Sequence, residues 1–322
     1  MPDAHASSAQ PASALRPIQR QALERSIAQV NTVLLGKPRE VRLAFVSLLA
    51  GGHLLIEDLP GVGKTTLAHA LAVTLGLDFQ RVQFTSDLLP SDIIGVSIYE
   101  RESGGFRFHP GPLFTRLLLA DEINRASPKT QSALLEAMAE GQVTVDGSTH
   151  VLPSPFFVVA TQNPVDFAGT FPLPDSQLDR FMLRMSLGYP DREAERAMLA
   201  AIDRHRLLES LGPCLTPADI LELRAATAGV LASGALIDYV QRLLEASRAH
   251  GEIRVGLSPR AGLALLAAAR AHALIEARSY VIPEDVQAVF PFVAAHRLTP
   301  GSNARSGRDE LAIALLDTTP VQ

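Results

Sequence analysis

The sequence predicts an α/β domain built on a parallel sheet, followed by a region of helices. Three short apolar runs, at 53–56, 116–120 and 156–160, are each followed by polar residues, as expected of strands that are buried on both faces of a sheet. Helical patterns lie between these runs, and such an alternation of strand and helix is typical of parallel α/β folds. Beyond residue 188 the pattern is helical throughout and rich in Ala, Leu and Arg.

Two helices are predicted before the first apolar run. Apolar residues spaced three and four apart indicate the first helix, within 15–35, and Gly36 ends it. A second apolar helix runs from about 38 to 50. The residues at 1–14 are small and polar and lack the features of a secretory signal, so we expect a disordered tail there.

The remaining elements of the first domain follow in order. A Gly/Pro-rich turn and a helix at 64–75 come after the first apolar run, and a helix at 128–140 comes after the second. Alternating runs on either side of a Gly-containing turn predict a hairpin at 142–152.

The turn at 188–191 is the best domain boundary in the sequence. It contains Gly and Pro, and the pattern changes there from mixed to helical. We therefore expect an α/β core at 15–188 and a helical domain at 189–322.

Composition excludes several classes of protein. The chain has 322 residues, of which 47% are hydrophobic, so it can bury a core and wholesale disorder is excluded. A formal charge of −5 argues against a nucleic-acid binder that relies on bulk basicity. The lone Cys214 cannot form an internal disulfide. No window of about 18 apolar residues predicts a transmembrane helix, and we expect a cytoplasmic protein without membrane insertion.

The strongest motif is the loop that joins the first apolar run to the helix at 64–75. Its backbone N–H groups and the helix N-terminus can surround a polyphosphate. Lys64 would reach the β- and γ-phosphates, and Thr65 would ligate Mg²⁺. Asp58 stands where the usual pattern has its first Gly. The expected nucleotide-binding residues of the loop are Pro60, Gly61, Val62, Gly63, Lys64, Thr65 and Thr66.

Polar residues end the second and third predicted strands. Asp121 would hold Mg²⁺ through water, and Glu122 would orient and deprotonate an attacking water. Two acids after a strand are more often a solvated loop or a helix cap, but beside a phosphate loop they favour catalysis. Asn163 could hydrogen-bond the γ-phosphate or the water, although Asn before Pro is also a common turn starter.

The order of these features resembles the MoxR family of AAA+ ATPases. The likeness covers about 15–310 and rests on several separate segments, at 57–65, 107–114, 121–126, 129–138 and 173–181. The resemblance implies a three-layer α/β/α P-loop NTPase domain with a C-terminal all-helical lid domain.

The resemblance also implies roles for single residues. Asn163 matches sensor 1, and Arg180 matches the arginine finger that a subunit offers to the nucleotide of its neighbour. Arg260 matches sensor 2 in the lid, either within its own subunit or across the interface. The hairpin at 142–152 and an insertion at 94–108 match elements that face the pore or the substrate in related rings. The adenine slot would lie near Gly36.

The roles of three further basic residues stay open. Arg125 is either a second interface arginine or a residue that caps or packs locally, and Lys129 is either a helix-surface residue or an interface residue. Lys occurs only at Lys37, Lys64 and Lys129, while Arg occurs 26 times. Codon bias explains the excess of Arg, and Lys37 has no role that the sequence reveals.

By resemblance we expect Mg²⁺-dependent ATP hydrolysis in a homo-oligomer, a hexameric ring. Its work would be chaperone-like remodelling or assembly of a client protein complex, including metal-cofactor insertion, with a separate partner that carries a von Willebrand factor A domain. One alternative is a DNA-directed AAA+ motor, against which the acidic pI of about 6.0 argues. The other is a nucleotide switch that does not hydrolyse ATP.

Overall fold

The computed structural model describes residues 15–102, 104–164, 169–200 and 204–321. The tail expected at 1–14 lies outside the described residues. The strands are β1 (Leu54–Glu57), β2 (Phe79–Gln83), β3 (Gly95–Glu100), β4 (Gly105–Pro110), β5 (Leu117–Asp121), β6 (Gln142–Val145), β7 (Ser148–Val151), β8 (Phe157–Gln162), β9 (Leu183–Met185), β10 (Ile253–Val255) and β11 (Thr299–Pro300).

Helices occupy most of the rest of the described chain. In the first part they are α1 (Pro17–Val33), α2 (Pro38–Leu49), α3 (Lys64–Thr74), α4 (Pro90–Ile94), α5 (Pro128–Glu140) and α6 (Asp175–Leu178). In the second part they are α7 (Arg192–Ala200), α8 (Arg204–Glu209), α9 (Pro217–Ala228), α10 (Gly234–Ala249), α11 (Pro259–Ile275), α12 (Pro283–Ala294) and α13 (Arg308–Thr318). Two short 3₁₀ turns, Ile123–Arg125 and Ala295–Arg297, complete the list.

The centre of the fold is a five-stranded parallel sheet in the order β2-β5-β8-β1-β9. The three strands expected from the sequence are β5, β8 and β1, which form its middle. The two edge strands, β2 and β9, were not predicted from the sequence. One reason is that β2 carries polar, largely exposed residues, and the other is that β9 has only three residues, so neither shows the apolar run of a central strand.

Alternate residues of the central strands face two apolar clusters, one on each side of the sheet. Leu54 and Ile56 of β1 belong to the cluster formed with α1, α2, α3 and the helices of the second part. Leu55 points the other way, into the cluster that contains residues of α5 and β6. This period of two places helices on both faces, so the core has three layers.

After residue 188, the regular elements of the described chain are helices and one short antiparallel pair, β10 and β11. These helices pack in the same apolar cluster as one face of the sheet, with α11 against α2. Among the described residues, no helix combines the length and the apolarity that crossing a bilayer demands.

Two antiparallel hairpins project from the core. One is β6 with β7, where the sequence predicted a hairpin, and the other is β3 with β4, in the insertion expected at 94–108. The rings of Phe108 and His150 stack with their centroids 3.9 Å apart, which joins the two hairpins.

A buried histidine fixes the start of β1. The Nδ1 atom of His53 accepts a hydrogen bond from the Val158 N–H at 3.0 Å. Its Nε2 atom therefore carries the proton and donates to the Met138 carbonyl at 3.1 Å. Burial lowers the pKa of His53 to about 4, so the ring is neutral in the folded protein.

We expect His53→Gln to change how stability depends on pH. Folded His53 stays neutral down to about pH 4, whereas in the unfolded chain it takes up a proton near pH 6.5. Acidification from pH 7.5 to pH 5 should therefore lower the free energy of unfolding of the wild type by about 2 kcal/mol more than that of the variant. Urea unfolding at both pH values measures this, and an equal pH dependence in the two proteins would contradict the assignment.

Candidate functional site

The loop between β1 and α3 makes a tight glycine turn. Gly61 and Gly63 have φ angles of +84° and +104°, in the left-handed region that side chains rarely adopt. The α3 helix begins directly after Gly63, at Lys64. The loop therefore delivers its backbone N–H groups and a helix N-terminus to one place, which is an arrangement that binds anions.

Lys64 lies over this loop. Its Nζ atom donates to the carbonyl oxygens of Asp58 and Leu59, at 2.8 and 2.7 Å. Burial lowers the pKa of the Lys64 ammonium, and nearby carboxylates, that of Asp58 first, act in the opposite direction. Thr65 is exposed in the first turn of α3.

Asp121 is the last residue of β5 and Glu122 follows it, at the carboxyl edge of the sheet, which is the edge where the parallel strands end. The carboxylate of Asp121 accepts hydrogen bonds from the Thr161 hydroxyl at 2.6 Å and from Nη2 of Arg81 at 2.7 Å. Carboxylate and hydroxyl oxygens such as those of Asp121 and Thr65 are the ligand type that Mg²⁺ prefers. The residues present therefore fit a magnesium site.

Glu122 has a strained backbone. Its φ angle is +57°, and a non-glycine residue in such a conformation costs about 1–3 kcal/mol. Its N–H donates to the Thr161 hydroxyl at 2.9 Å. Its carboxylate contacts Nε2 of Gln83 at 2.8 Å and Nε of Arg125 at 2.9 Å. Arg125 thus makes the local contact that was one of its two expected roles.

Asn163 lies directly after β8, at the same edge. It is buried, and its carbonyl accepts a hydrogen bond from Nδ2 of Asn124 at 3.5 Å. The carboxyl edge therefore brings together the glycine loop, the two acids and Asn163, which are residues expected to act on one substrate.

A cavity of about 170 Å³ adjoins the glycine loop. Its walls come from the end of α1 and the turn after it, from the glycine loop and the start of α3, and from the segment after β9 together with α7. They comprise Val33, Leu34, Leu35, Lys37, Pro60, Gly61, Val62, Gly63, Thr66, Tyr189, Pro190 and Met198. Gly36 lies in the same turn at φ +71°, and an added Cβ would come within 2.8 Å of Ala194. The resemblance implies an adenine slot near Gly36, and this cavity lies beside that turn.

Lys37 gains a structural role that the sequence did not reveal. Its Nζ atom donates to the Tyr189 carbonyl at 2.8 Å, which ties the turn after α1 to the segment after β9. Lys129 is exposed in the first turn of α5.

Arg180 and Arg260 lie at a different place. Both line a second cavity, of about 230 Å³, whose wall also includes Gly51, Gly52 and His53. Those three residues directly precede β1, so this cavity lies at the amino edge of the sheet, opposite the glycine loop. Arg180 donates from Nη1 to the Leu135 carbonyl at 2.7 Å, and Nε of Arg260 lies 3.8 Å from Oδ2 of Asp179.

Arg297 anchors the segment that carries Arg180. Its side chain is 5% exposed, and it donates to the Asp179 carboxylate and to the Phe181 carbonyl, both at 2.7 Å. Arg297 was not predicted, because nothing in the sequence distinguishes it from the other arginines among the 26.

Three more residues of the carboxyl edge escaped sequence analysis. Arg81 and Gln83 lie on β2, the edge strand that was not predicted. Thr161 lies at the end of β8, and its place directly before Gln162 and Asn163 was the one available signal.

Comparisons with known proteins agree with this architecture. Residues 53–183 match the model of the ATPase family associated with various cellular activities (AAA), and residues 245–314 match that of the AAA lid domain. The uncharacterized protein YeaC of Bacillus subtilis is 47% identical over 86% of each chain. The chaperone MoxR1 of Mycobacterium tuberculosis is 42% identical over 86% of this chain and 75% of its own.

A solved structure extends the likeness to three dimensions. The crystal structure of a candidate ATPase from Cytophaga hutchinsonii superposes with a TM-score of 0.87 at 36% identity. The match covers 94% of this chain and 96% of that one.

We expect Thr161→Val to lower the free energy of unfolding by about 1–3 kcal/mol, although it conserves volume, because the Asp121 carboxylate and the Glu122 N–H each lose a buried partner. Thr161→Ser keeps the hydroxyl and loses only a methyl group, which should cost about 1 kcal/mol or less. Urea unfolding of both variants measures this. A larger loss in Thr161→Ser would contradict the bridging role of the hydroxyl.

Proposed function

Because the chain belongs to the MoxR family of AAA+ ATPases, we propose that it binds and hydrolyses ATP at the carboxyl edge of its sheet. The observation that carries this proposal is the convergence of Lys64, Asp121 and Glu122 at that edge. Phosphoryl transfer to water needs positive charge beside the phosphates and a positioned water molecule. Lys64 would supply charge directly, Asp121 would do so by holding Mg²⁺, and Glu122 would position the water.

The glycine loop would hold the phosphates. The backbone N–H groups from Gly61 to Thr66 donate to phosphate oxygens, and the Lys64 ammonium exchanges two neutral carbonyl partners for a charged one, which is the stronger hydrogen bond. The turn around Gly36 would hold the adenine base in the cavity beside the loop.

Thr65 and Asp121 would hold Mg²⁺, the latter through water. Bound there, Mg²⁺ would neutralise charge on the phosphates. Nη2 of Arg81 donates to the Asp121 carboxylate in this structure. When Mg²⁺ binds, the Arg81 guanidinium would have to move away or share that carboxylate with the ion.

Glu122 would accept the proton of the attacking water, and Asn163 would orient that water. The Glu122 carboxylate is held by Gln83 and Arg125, so it becomes available as a base when those contacts open. The strained backbone of Glu122 supports a functional role, since strain of this kind clusters at active sites.

We propose that Arg180 and Arg260 both act on the nucleotide of a neighbouring subunit. The four residues of β1 span about 13 Å at about 3.3 Å each, and they separate the amino edge from the carboxyl edge. Arginines at the amino edge are thus remote from their own glycine loop. This supports a homo-oligomeric ring, which we propose to be a hexamer, with nucleotide between subunits.

We further propose that hydrolysis in the ring remodels or assembles a client protein complex. The name of the MoxR1 relative, a chaperone, supports this class of work. Phe106 and Tyr99 on the β3–β4 hairpin are 77% and 54% exposed and pack edge to face, so they offer an apolar contact to a client. Within this proposal, the work includes metal-cofactor insertion, and a separate protein that carries a von Willebrand factor A domain acts as a partner.

The domain division belongs to the proposal as well. We place the core at 15–188 and the lid at 189–322, so that the glycine loop lies in the core and Arg260 lies in the lid. The cycle of hydrolysis would then move the lid relative to the core.

We expect Arg180→Ala and Arg260→Ala to bind ATP but to lose hydrolysis, Arg180→Ala by about 10³-fold or more, as for arginine fingers supplied by a neighbour. Lys64→Ala should also be inactive. Mixing Lys64→Ala with either arginine variant should restore phosphate release, because one subunit offers the loop and its neighbour the arginine. A mixture as inactive as its components would contradict action across the interface.

Glu122→Gln should keep ATP binding and slow hydrolysis by about 10²–10⁴-fold, because the amide cannot accept the proton. The trapped, ATP-bound protein should co-purify with a partner protein from the native host, and Lys64→Ala serves as the unloaded control. Recovery of nucleic acid instead would favour the DNA-directed motor. Absence of phosphate release by the wild type, with tight ATP binding, would favour the switch.

A further inference from the structure

Asp58 is a buried carboxylate that joins the glycine loop to the segment after β9. It is 7% exposed, and its Oδ1 atom accepts a hydrogen bond from the Leu59 N–H at 2.9 Å. Its Oδ2 atom accepts three more hydrogen bonds, from the Ser186 hydroxyl at 2.9 Å and from the N–H groups of Leu187 and Gly188 at 2.6 and 2.7 Å. Both oxygens therefore accept hydrogen bonds, and the three that Oδ2 accepts come from residues 128 to 130 positions along the chain.

The segment that Asp58 holds leads into the second part of the protein. We call residues 186–190 the linker. It follows β9 and precedes α7, and its Tyr189 and Pro190 line the cavity beside the glycine loop. The Tyr189 carbonyl also accepts the hydrogen bond from Lys37. A change in the linker would therefore reach both the cavity and the helices that follow.

The backbone of Asp58 contacts the Lys64 ammonium. Nζ of Lys64 donates to the carbonyls of Asp58 and Leu59. In the same two residues, the Asp58 carboxylate accepts from the Leu59 N–H and from the linker. A phosphate group would compete for this ammonium, because hydrogen bonds between charged groups are the stronger ones. Loading the loop would thus release two carbonyls in the same dipeptide that holds the linker.

We propose that Asp58 is a positioning residue that couples occupancy of the glycine loop to the linker, and through it to the helical region. The inference rests on the proposed binding of ATP at this loop. It gives a reason for a carboxylate where the usual loop pattern has Gly, since a glycine would leave the linker N–H groups without their acceptor.

The test is hydrogen–deuterium exchange of the full chain, with and without a non-hydrolysable ATP analogue, read by mass spectrometry. In the wild type, the analogue should change exchange in peptides that cover the linker and α7. In Asp58→Gly, linker exchange should be at least about fivefold faster without the analogue, and the analogue should no longer change it, as expected for a coupling of 1 kcal/mol or more.

Matched variants separate coupling from general loosening. Ser186→Ala removes one donor but leaves both backbone donors, so it should keep the response to the analogue. Asp78→Asn alters an exposed carboxylate at the far end of β2 and should behave as wild type. If Asp58→Gly does not fold, Asp58→Asn carries the test, because it keeps the size of the side chain, loses the charge and should show a reduced response.

Direct binding of a fluorescent ATP analogue distinguishes the two proposals. A wild type that does not bind it overturns both. A wild type that binds it without any change in linker exchange overturns the coupling alone. The coupling is also overturned if the analogue changes linker exchange in the Asp58 variants as much as it does in the wild type.

Discussion

The parallel strands of the central sheet all run in one direction, and this polarity fixes where the residues at the strand ends lie. Loops that follow β1, β5 and β8 must meet at the carboxyl edge, which is why Lys64, Glu122 and Asn163 come together although they are far apart in the chain. The segment before β9 must lie at the opposite edge, together with Arg180. One sheet thus separates the groups that would hold a nucleotide from the groups that a subunit would offer to its neighbour.

The polar groups of the carboxyl edge are held by partners from the same chain. Lys64 contacts two backbone carbonyls, Asp121 contacts Arg81, and Glu122 contacts Gln83 and Arg125. These contacts satisfy groups that would otherwise be costly to bury. In the proposed function, substrate binding would be an exchange of partners, and its net free energy would be smaller than the new contacts alone suggest. Each of these side chains would then pass the change to the neighbouring element that held it.

The sequence predicted what depends on local pattern, and it missed what depends on tertiary contact. The apolar runs of β1, β5 and β8 and the glycine loop were visible because burial on both faces and tight turns restrict residue type. The polar edge strand β2 was not visible in the sequence, so the roles of Arg81 and Gln83, which lie on it, were not predicted. Arg297 could not be chosen among 26 arginines, and the location of Arg260 follows only from how α11 packs. Asp58 was visible as a departure from a pattern, but its partners lie 128 to 130 residues away.

The stacked rings of Phe108 and His150 couple the two hairpins mechanically. The β3–β4 hairpin is rooted between α4 and β5, whereas the β6–β7 hairpin is rooted between α5 and β8. A pull on the exposed tip of one hairpin is therefore shared by two attachment points on neighbouring strands of the sheet. Such load sharing stiffens both hairpins against bending and carries tension into β5, which ends at Asp121, and into β8, which Asn163 directly follows.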